Sequence, residues 1–256
     1  AIDRAAVRTF PSREHVGLGE VVDAFLAGRP APTLACFGVA GPVTNGRAIA
    51  TNLPWVVDAT DLATCLGART WVINDLEANA YGIPVLTPGA CTVLNAGAVG
   101  ATGNLGLISA GTGLGEAGLF WDGRSHHPWA CEGGHTTFAP ETDLEVELLR
   151  WLQRTLGHVS WERVVAGPGL VTIYEFLRDT KRGDEPAWLT EKLHAHDPGA
   201  TISQEALAGT SPLCVQALDL FVALYGAEAG NLALKVMATA GLYVGGGIAP
   251  HLIAKL

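Results

Sequence analysis

The sequence predicts an α/β fold, and three observations carry that expectation. Two short apolar runs, 33–40 and 70–74, have the length and flanking residues of buried strands. A glycine-rich stretch, 97–134, reads as a strand, a tight loop and a returning strand. Beyond residue 140 the chain is dense in helix start and stop signals. The 256 residues include 32 glycines, well above the usual share of about 7%. Eleven of them lie between Gly97 and Gly134.

The elements follow in order. Residues 20–28 read as a helix closed by Gly28, and 33–40 as a strand. Asn45-Gly46 tolerates positive φ at both positions and predicts a hairpin, whose second strand leads into Thr51-Asn52-Leu53-Pro54-Trp55. A helix fits 58–66, with Gly67 past its end, and the strand at 70–74 runs directly into Asp75 and a helical stretch. The strand 104–110, the loop 111–115 and a strand ending in the Asp122-Gly123 turn come next, with His126-His127 expected in a solvated turn. Thr142 and Glu145 have capping-box spacing; the helix they start presents Leu144, Leu148, Leu149, Leu152 and Leu156 on one face and ends at Gly157. Ser160 is placed as the cap of a short helix ending near Gly167, and Pro168 in the first turn of a helix reaching Thr180. The polar stretch 181–200, with His194 and His196, is expected as a surface excursion. A long helix over 212–238, interrupted at Gly226 and Gly230, precedes a strand, a triple-glycine turn and a Pro-started helix.

Composition excludes several function classes. Sixteen Lys and Arg against 25 Asp and Glu give a net charge of −9, with no basic cluster to neutralise phosphates, so a nucleic-acid partner is not expected. No apolar run of about 20 residues is evident, so no membrane span is expected. The charged first residues do not read as a secretory signal. Five scattered cysteines without a Cys-x-x-Cys pair suit free thiols in a reducing compartment.

Five constellations could carry chemistry. Asp75, at the carboxyl end of a buried strand with Asn74 beside it, suits a general base with a positioning amide, or simply a helix cap. Gly111, Thr112 and Gly113 could form an anion-binding nest, or a plain hairpin turn. Glu132 and His135, separated by two glycines, could face one polyhydroxyl ligand; Cys131 completes no zinc pattern. Glu162 is a polar-ligand candidate or a charge at a helix N-terminus. Gly245-Gly246-Gly247 permits close approach of a flat ring, or a ligand-free strand-to-helix turn.

Taken in order, these segments resemble the bacterial glucokinase family, the branch of the hexokinase–actin-like superfamily without a zinc motif. The resemblance covers nearly the whole chain. It rests on Thr51-Asn-Leu-Pro-Trp55, Ile73-Asn74-Asp75, Ala110-Gly-Thr-Gly-Leu-Gly115 and Glu132-Gly-Gly-His135 followed by Phe138-Ala-Pro140. It continues with Gly157-His-Val-Ser160 leading to Glu162-Arg163, Gly167-Pro-Gly-Leu170 and Gly245-Gly-Gly-Ile-Ala-Pro250. It implies two ribonuclease-H-like α/β domains around a central cleft that closes on sugar, a smaller one over 1–85 and a larger over 86–256. It implies ATP-dependent phosphorylation of glucose at the 6-hydroxyl, with Asp75 as catalytic base and Asn74, Glu132, His135 and Glu162 on the sugar. Gly111, Thr112 and Gly113 match the second phosphate loop, and Gly246 and Gly247 the segment beside adenosine. Mg²⁺ would accompany ATP without a dedicated protein metal site, and a cytoplasmic homodimer feeding glycolysis is implied. The family's first phosphate loop, Asp-x-Gly-Gly-Thr-Asn after a strand, and its C-terminal return to the smaller domain are not in the sequence, so further segments are expected at both ends. A sugar-sensing regulator and an inactive paralogue of the same fold are the alternatives.

Overall fold

The computed structural model describes residues 4–50 and 53–256; Thr51 and Asn52 of the Thr-Asn-Leu-Pro-Trp motif lie outside the described residues. The chain divides into two compact units between Ile83 and Pro84.

The first unit contains α1 (Leu18–Leu26), β1 (Leu34–Val39), β2 (Arg47–Ile49), β3 (Val56–Asp58), α2 (Ala59–Leu66), β4 (Arg69–Asn74) and α3 (Asp75–Gly82). β1 and β4 pair in parallel from Leu34↔Arg69 to Val39↔Asn74, so both strands finish at the same edge. Asn45 and Gly46 do take positive φ, 53° and 74°. Their turn is closed only by a bridge between Thr44 and Arg47, however. The ladder of β2 is instead made with β3, from Arg47↔Asp58 to Ile49↔Val56, so the hairpin strands are not the expected pair. This choice buries Ala48 and Val57 in a small core with Leu62 and Val72. The Asp58 carboxylate caps α2 through the Thr60 and Asp61 N–H groups, and Gly67 closes that helix at φ 60°.

The second unit contains β5 (Leu105–Ala110), β6 (Leu114–Trp121), β7 (His126–Cys131), α4 (Asp143–Leu152), α5 (Gly167–Asp179), α6 (Ala187–Ala195), α7 (Pro198–Leu207), α8 (Pro212–Lys235), β8 (Gly241–Gly245) and α9 (Ala249–Leu252). Its sheet runs β7-β6-β5-β8, with β5 and β8 parallel and the other pairs antiparallel. The expected turn at His126-His127 is in fact the start of edge strand β7; His126 packs on Trp121 at 4.7 Å and bonds the Gly103 carbonyl. The Thr142 capping box forms as expected, but α4 ends at Leu152, before Gly157. Ser160 supplies no side-chain cap; residues Trp161–Arg163 form a single 3₁₀ turn.

The expected surface excursion is also corrected. Pro186 and Pro198 open α6 and α7 rather than breaking structure, and these helices bury Leu189 and Ile202 completely. α8 runs unbroken through Gly226 and Gly230. Its packing outweighs the propensity cost of about 1 kcal/mol per glycine. α8 is also long and apolar enough to cross a membrane by length and composition, against the expectation that no such stretch exists. It is half-buried: Leu218, Phe221 and Leu224 join the main core with Ile108, Phe176 and Ile173. A helix surrounded by neighbours can be apolar on most of its faces.

Candidate active site

In the first unit, the site candidates stand at the carboxyl edge of β4, where α/β sheets bind ligands. Asn74 is the N-cap of α3. Its side-chain oxygen accepts from the Leu76 and Glu77 N–H groups at 2.8 and 3.1 Å, and its amide donates to the Gly41 carbonyl at 3.1 Å. The capping reading of this pair therefore applies to Asn74, which is buried, with one amide N–H still available. Asp75 is the first helical residue and half-buried; one carboxylate oxygen accepts from the Leu76 N–H at 3.0 Å. Because Asn74 carries the cap, the second carboxylate oxygen of Asp75 is left for other work.

In the second unit, Glu132, His135 and Glu162 come together. The His135 ring lies 3.8 Å from the Glu132 carboxylate through Nε2 and 3.9 Å from Glu162 through Nδ1. These distances are too long for direct hydrogen bonds, so the imidazole and the two carboxylates do not satisfy one another. Backbone pairing sets the geometry: Phe138 N–H donates to the Val159 carbonyl and Trp161 N–H to the Thr136 carbonyl. The buried rings of Phe138 and Trp161 meet edge-on at 5.0 Å, which locks the two segments together. The other oxygen of Glu162 accepts from the Leu114 N–H at 3.0 Å, just past the Gly111–Gly113 loop. A Cβ on Gly113 would lie 2.5 Å from that same oxygen.

Glycine serves the Glu132–His135 segment in a way the sequence does not reveal. A Cβ on Gly134 would lie 2.1 Å from the Leu114 carbonyl oxygen, and one on Gly133 would lie 1.8 Å from the Glu116 carboxylate. The turn rests directly on β6.

A cavity of about 670 Å³ adjoins the loop, within the range of small-molecule sites. Gly111, Thr112 and Gly247 line it, together with the first turns of α5 and α7 and with His251. Gly246 takes φ 86° and shapes the turn; a Cβ there would lie 2.3 Å from the Ala110 carbonyl oxygen. Gly113 faces Glu162 instead. Sequence reasoning missed Tyr225, which no local pattern marks. Its hydroxyl accepts from the Ala110 N–H at 3.1 Å and donates to the Gly245 carbonyl at 3.4 Å, tying the two glycine segments together. Burial pushes that phenol up to about 12, so it remains a donor at physiological pH. Tyr225→Phe leaves the Ala110 N–H without its partner. We expect a loss of about 1–3 kcal/mol in stability, checked by thermal melting.

Comparison with known proteins decides the family. The glucokinase family model matches residues 2–256. The chain belongs to the glucokinase family. It is 43% identical over 236 residues to a glucokinase from Nostoc sp., which covers 87% of this chain and 69% of the relative. The crystal structure of a glucokinase from an Antarctic psychrotroph matches with a TM-score of 0.79 at 33% identity, covering 100% of this chain and 80% of that one. A glucokinase of the ROK family from Streptomyces griseus, solved with glucose and AMPPNP, shares the fold. Its TM-score is 0.61 at 22% identity, covering 96% of this chain and 76% of that one. The mixed α/β architecture is thus that of the glucokinase family's solved members.

Proposed function

We propose that the protein transfers the γ-phosphoryl group of ATP to the 6-hydroxyl of glucose, with Asp75 as general base. The observation that carries this reading is the convergence of Glu132, His135 and Glu162 beside a glycine loop to which Glu162 is itself bonded. Two carboxylates and an imidazole suit a neutral ligand rich in hydroxyl donors, and such a site rejects analogues that leave its groups unpaired. Phosphoryl transfer needs little covalent help from protein, so positioning and charge stabilisation dominate. Asp75 accepts the 6-hydroxyl proton as that oxygen attacks phosphorus, and Asn74 orients the sugar through its remaining N–H.

The cavity is the proposed nucleotide site. Gly111, Thr112 and Gly113 form the phosphate loop, the N-terminus of α5 adds favourable dipole, and Gly246 and Gly247 border the adenosine. Asp197 is the carboxylate lining this cavity, and its oxygen caps α7 through Ala200 N–H. Among the described residues no group of three His, Cys, Asp or Glu gathers to hold a metal. Mg²⁺ accompanying ATP would be held chiefly by the nucleotide phosphates and water, and would neutralise developing phosphate charge. A homodimer in the cytoplasm completes the proposal and rests on family resemblance.

The test is kinetic. The purified protein forms glucose 6-phosphate from glucose and ATP. Glu162→Gln raises KM for glucose by about 10–100-fold, the loss of a charge-assisted hydrogen bond. An unchanged KM in that variant removes Glu162 from the sugar site.

A further inference from the structure

Beneath the Glu132–His135 segment lies a carboxyl group with no part in the chemistry above. Glu116 is the third residue of β6, opposite Cys131 on β7 and Ile108 on β5, and is 1% exposed. No donor of the described residues reaches either of its oxygens. One oxygen presses against Gly133 so closely that any side chain there would collide with it. The ionisable groups facing it are Glu228 and Lys235 from α8 and Cys131 from β7, with Glu132 following in the loop. Glu228 is fully buried and bonds Asn231 and Lys235, both at 2.9 Å. Two carboxylates so placed repel each other when both are ionised, and hydrogen-bond when they share one proton. Burial first, and then Glu228, push Glu116 to about 8, against a smaller pull from Lys235. Burial likewise raises the Cys131 thiol.

We propose that Glu116 is a positioning residue for the sugar loop: buried against Gly133 with no donor to its oxygens among the described residues, its neutral carboxyl supports the Gly133–Gly134 turn in the pose that presents Glu132 and His135, and a negative charge there releases that pose. The proposal rests on the reading of Glu132 and His135 as sugar ligands. Nothing on the Glu116 carboxyl touches substrate; its effect passes through the backbone of Gly133.

The pH dependence of KM for glucose, measured beside kcat, tests this. In the parent protein KM rises on the alkaline side, approaching about tenfold per pH unit once Glu116 has ionised. Glu116→Gln, whose amide is a donor at every pH, flattens that rise. Lys235→Met removes the cation that favours ionised Glu116, on a side chain about half exposed, and moves the rise to higher pH. A flat parent profile, an alkaline rise that Glu116→Gln leaves intact, or one that Lys235→Met does not move upward overturns the proposal. Should Glu116→Gln not fold, the Lys235→Met shift decides alone. Glu132→Gln at neutral pH separates the two readings. If its KM for glucose is normal, the loop does not hold sugar and both fall. If its KM rises while Glu116→Gln keeps the alkaline rise, only the role of Glu116 falls.

Discussion

Asp75→Asn is expected to lower kcat by about 10²–10⁴-fold, the usual contribution of a positioned general base. The substitution is nearly isosteric, and α3 should keep its start because Asn74, not Asp75, accepts the Leu76 and Glu77 N–H groups that a cap must satisfy. The bond from Leu76 N–H to the Asp75 side chain at 3.0 Å can be retained by the amide oxygen of Asn. Glucose and ATP affinity should therefore change little while turnover collapses. Steady-state kinetics, with glucose binding followed by intrinsic fluorescence, separates these effects. A variant with near-normal kcat would show that another group takes the proton.

Gly134→Ala should be as damaging by a different route. The new methyl would stand 2.1 Å from the Leu114 carbonyl oxygen, a main-chain atom of β6 that cannot rotate away. The turn must lift from the sheet, carrying Glu132 and His135 with it. Misplacement by about 1 Å can reduce rate by about 10²-fold, and we expect a fall of that order in kcat/KM for glucose. Gly230→Ala in α8 is the matched control. A Cβ there meets nothing within 4 Å, the site is exposed, and the helix interior favours Ala by about 0.5–1 kcal/mol. A rise in Tm for Gly230→Ala, beside lost activity for Gly134→Ala, would separate steric damage at the loop from glycine replacement in general. Equal and normal kcat/KM in both variants would refute the close-packing argument.

Much of this architecture was readable from residue type. Thr142 and Glu145 announce their capping box, Asn45-Gly46 its left-handed turn, and Gly67 its helix end, because each is a local geometric demand that few residues meet. What escaped local reading depends on neighbours distant in sequence. β7 carries His126, His127 and Pro128, poor strand residues that are tolerated because β7 is the sheet edge, where a missing N–H matters least. β3 is too short to declare itself, and its pairing with β2 is chosen by burial of Ala48 and Val57. α6 buries only Leu189, and α7 buries Thr201 and Glu205 beside Ile202 and Ala206, so their apolar periodicity is faint. Gly133 and Gly134 were legible as a bare backbone, but the reason for bareness, β6 lying directly underneath, exists only in three dimensions. The same holds for Glu116 and Tyr225, whose partners lie on α8 and on glycine segments far along the chain.

Glu162 uses one oxygen on the Leu114 N–H of the glycine hairpin and turns the other toward His135. On the proposed assignment, a single carboxylate touches both the sugar-binding group and the glycine hairpin whose Gly111 and Thr112 line the nucleotide cavity. Linkage then makes the effect mutual: whatever sugar occupancy does to nucleotide affinity through this side chain, nucleotide occupancy does to sugar affinity by the same factor. Heterotropic cooperativity would in this way be wired through one residue, without requiring any subunit contact.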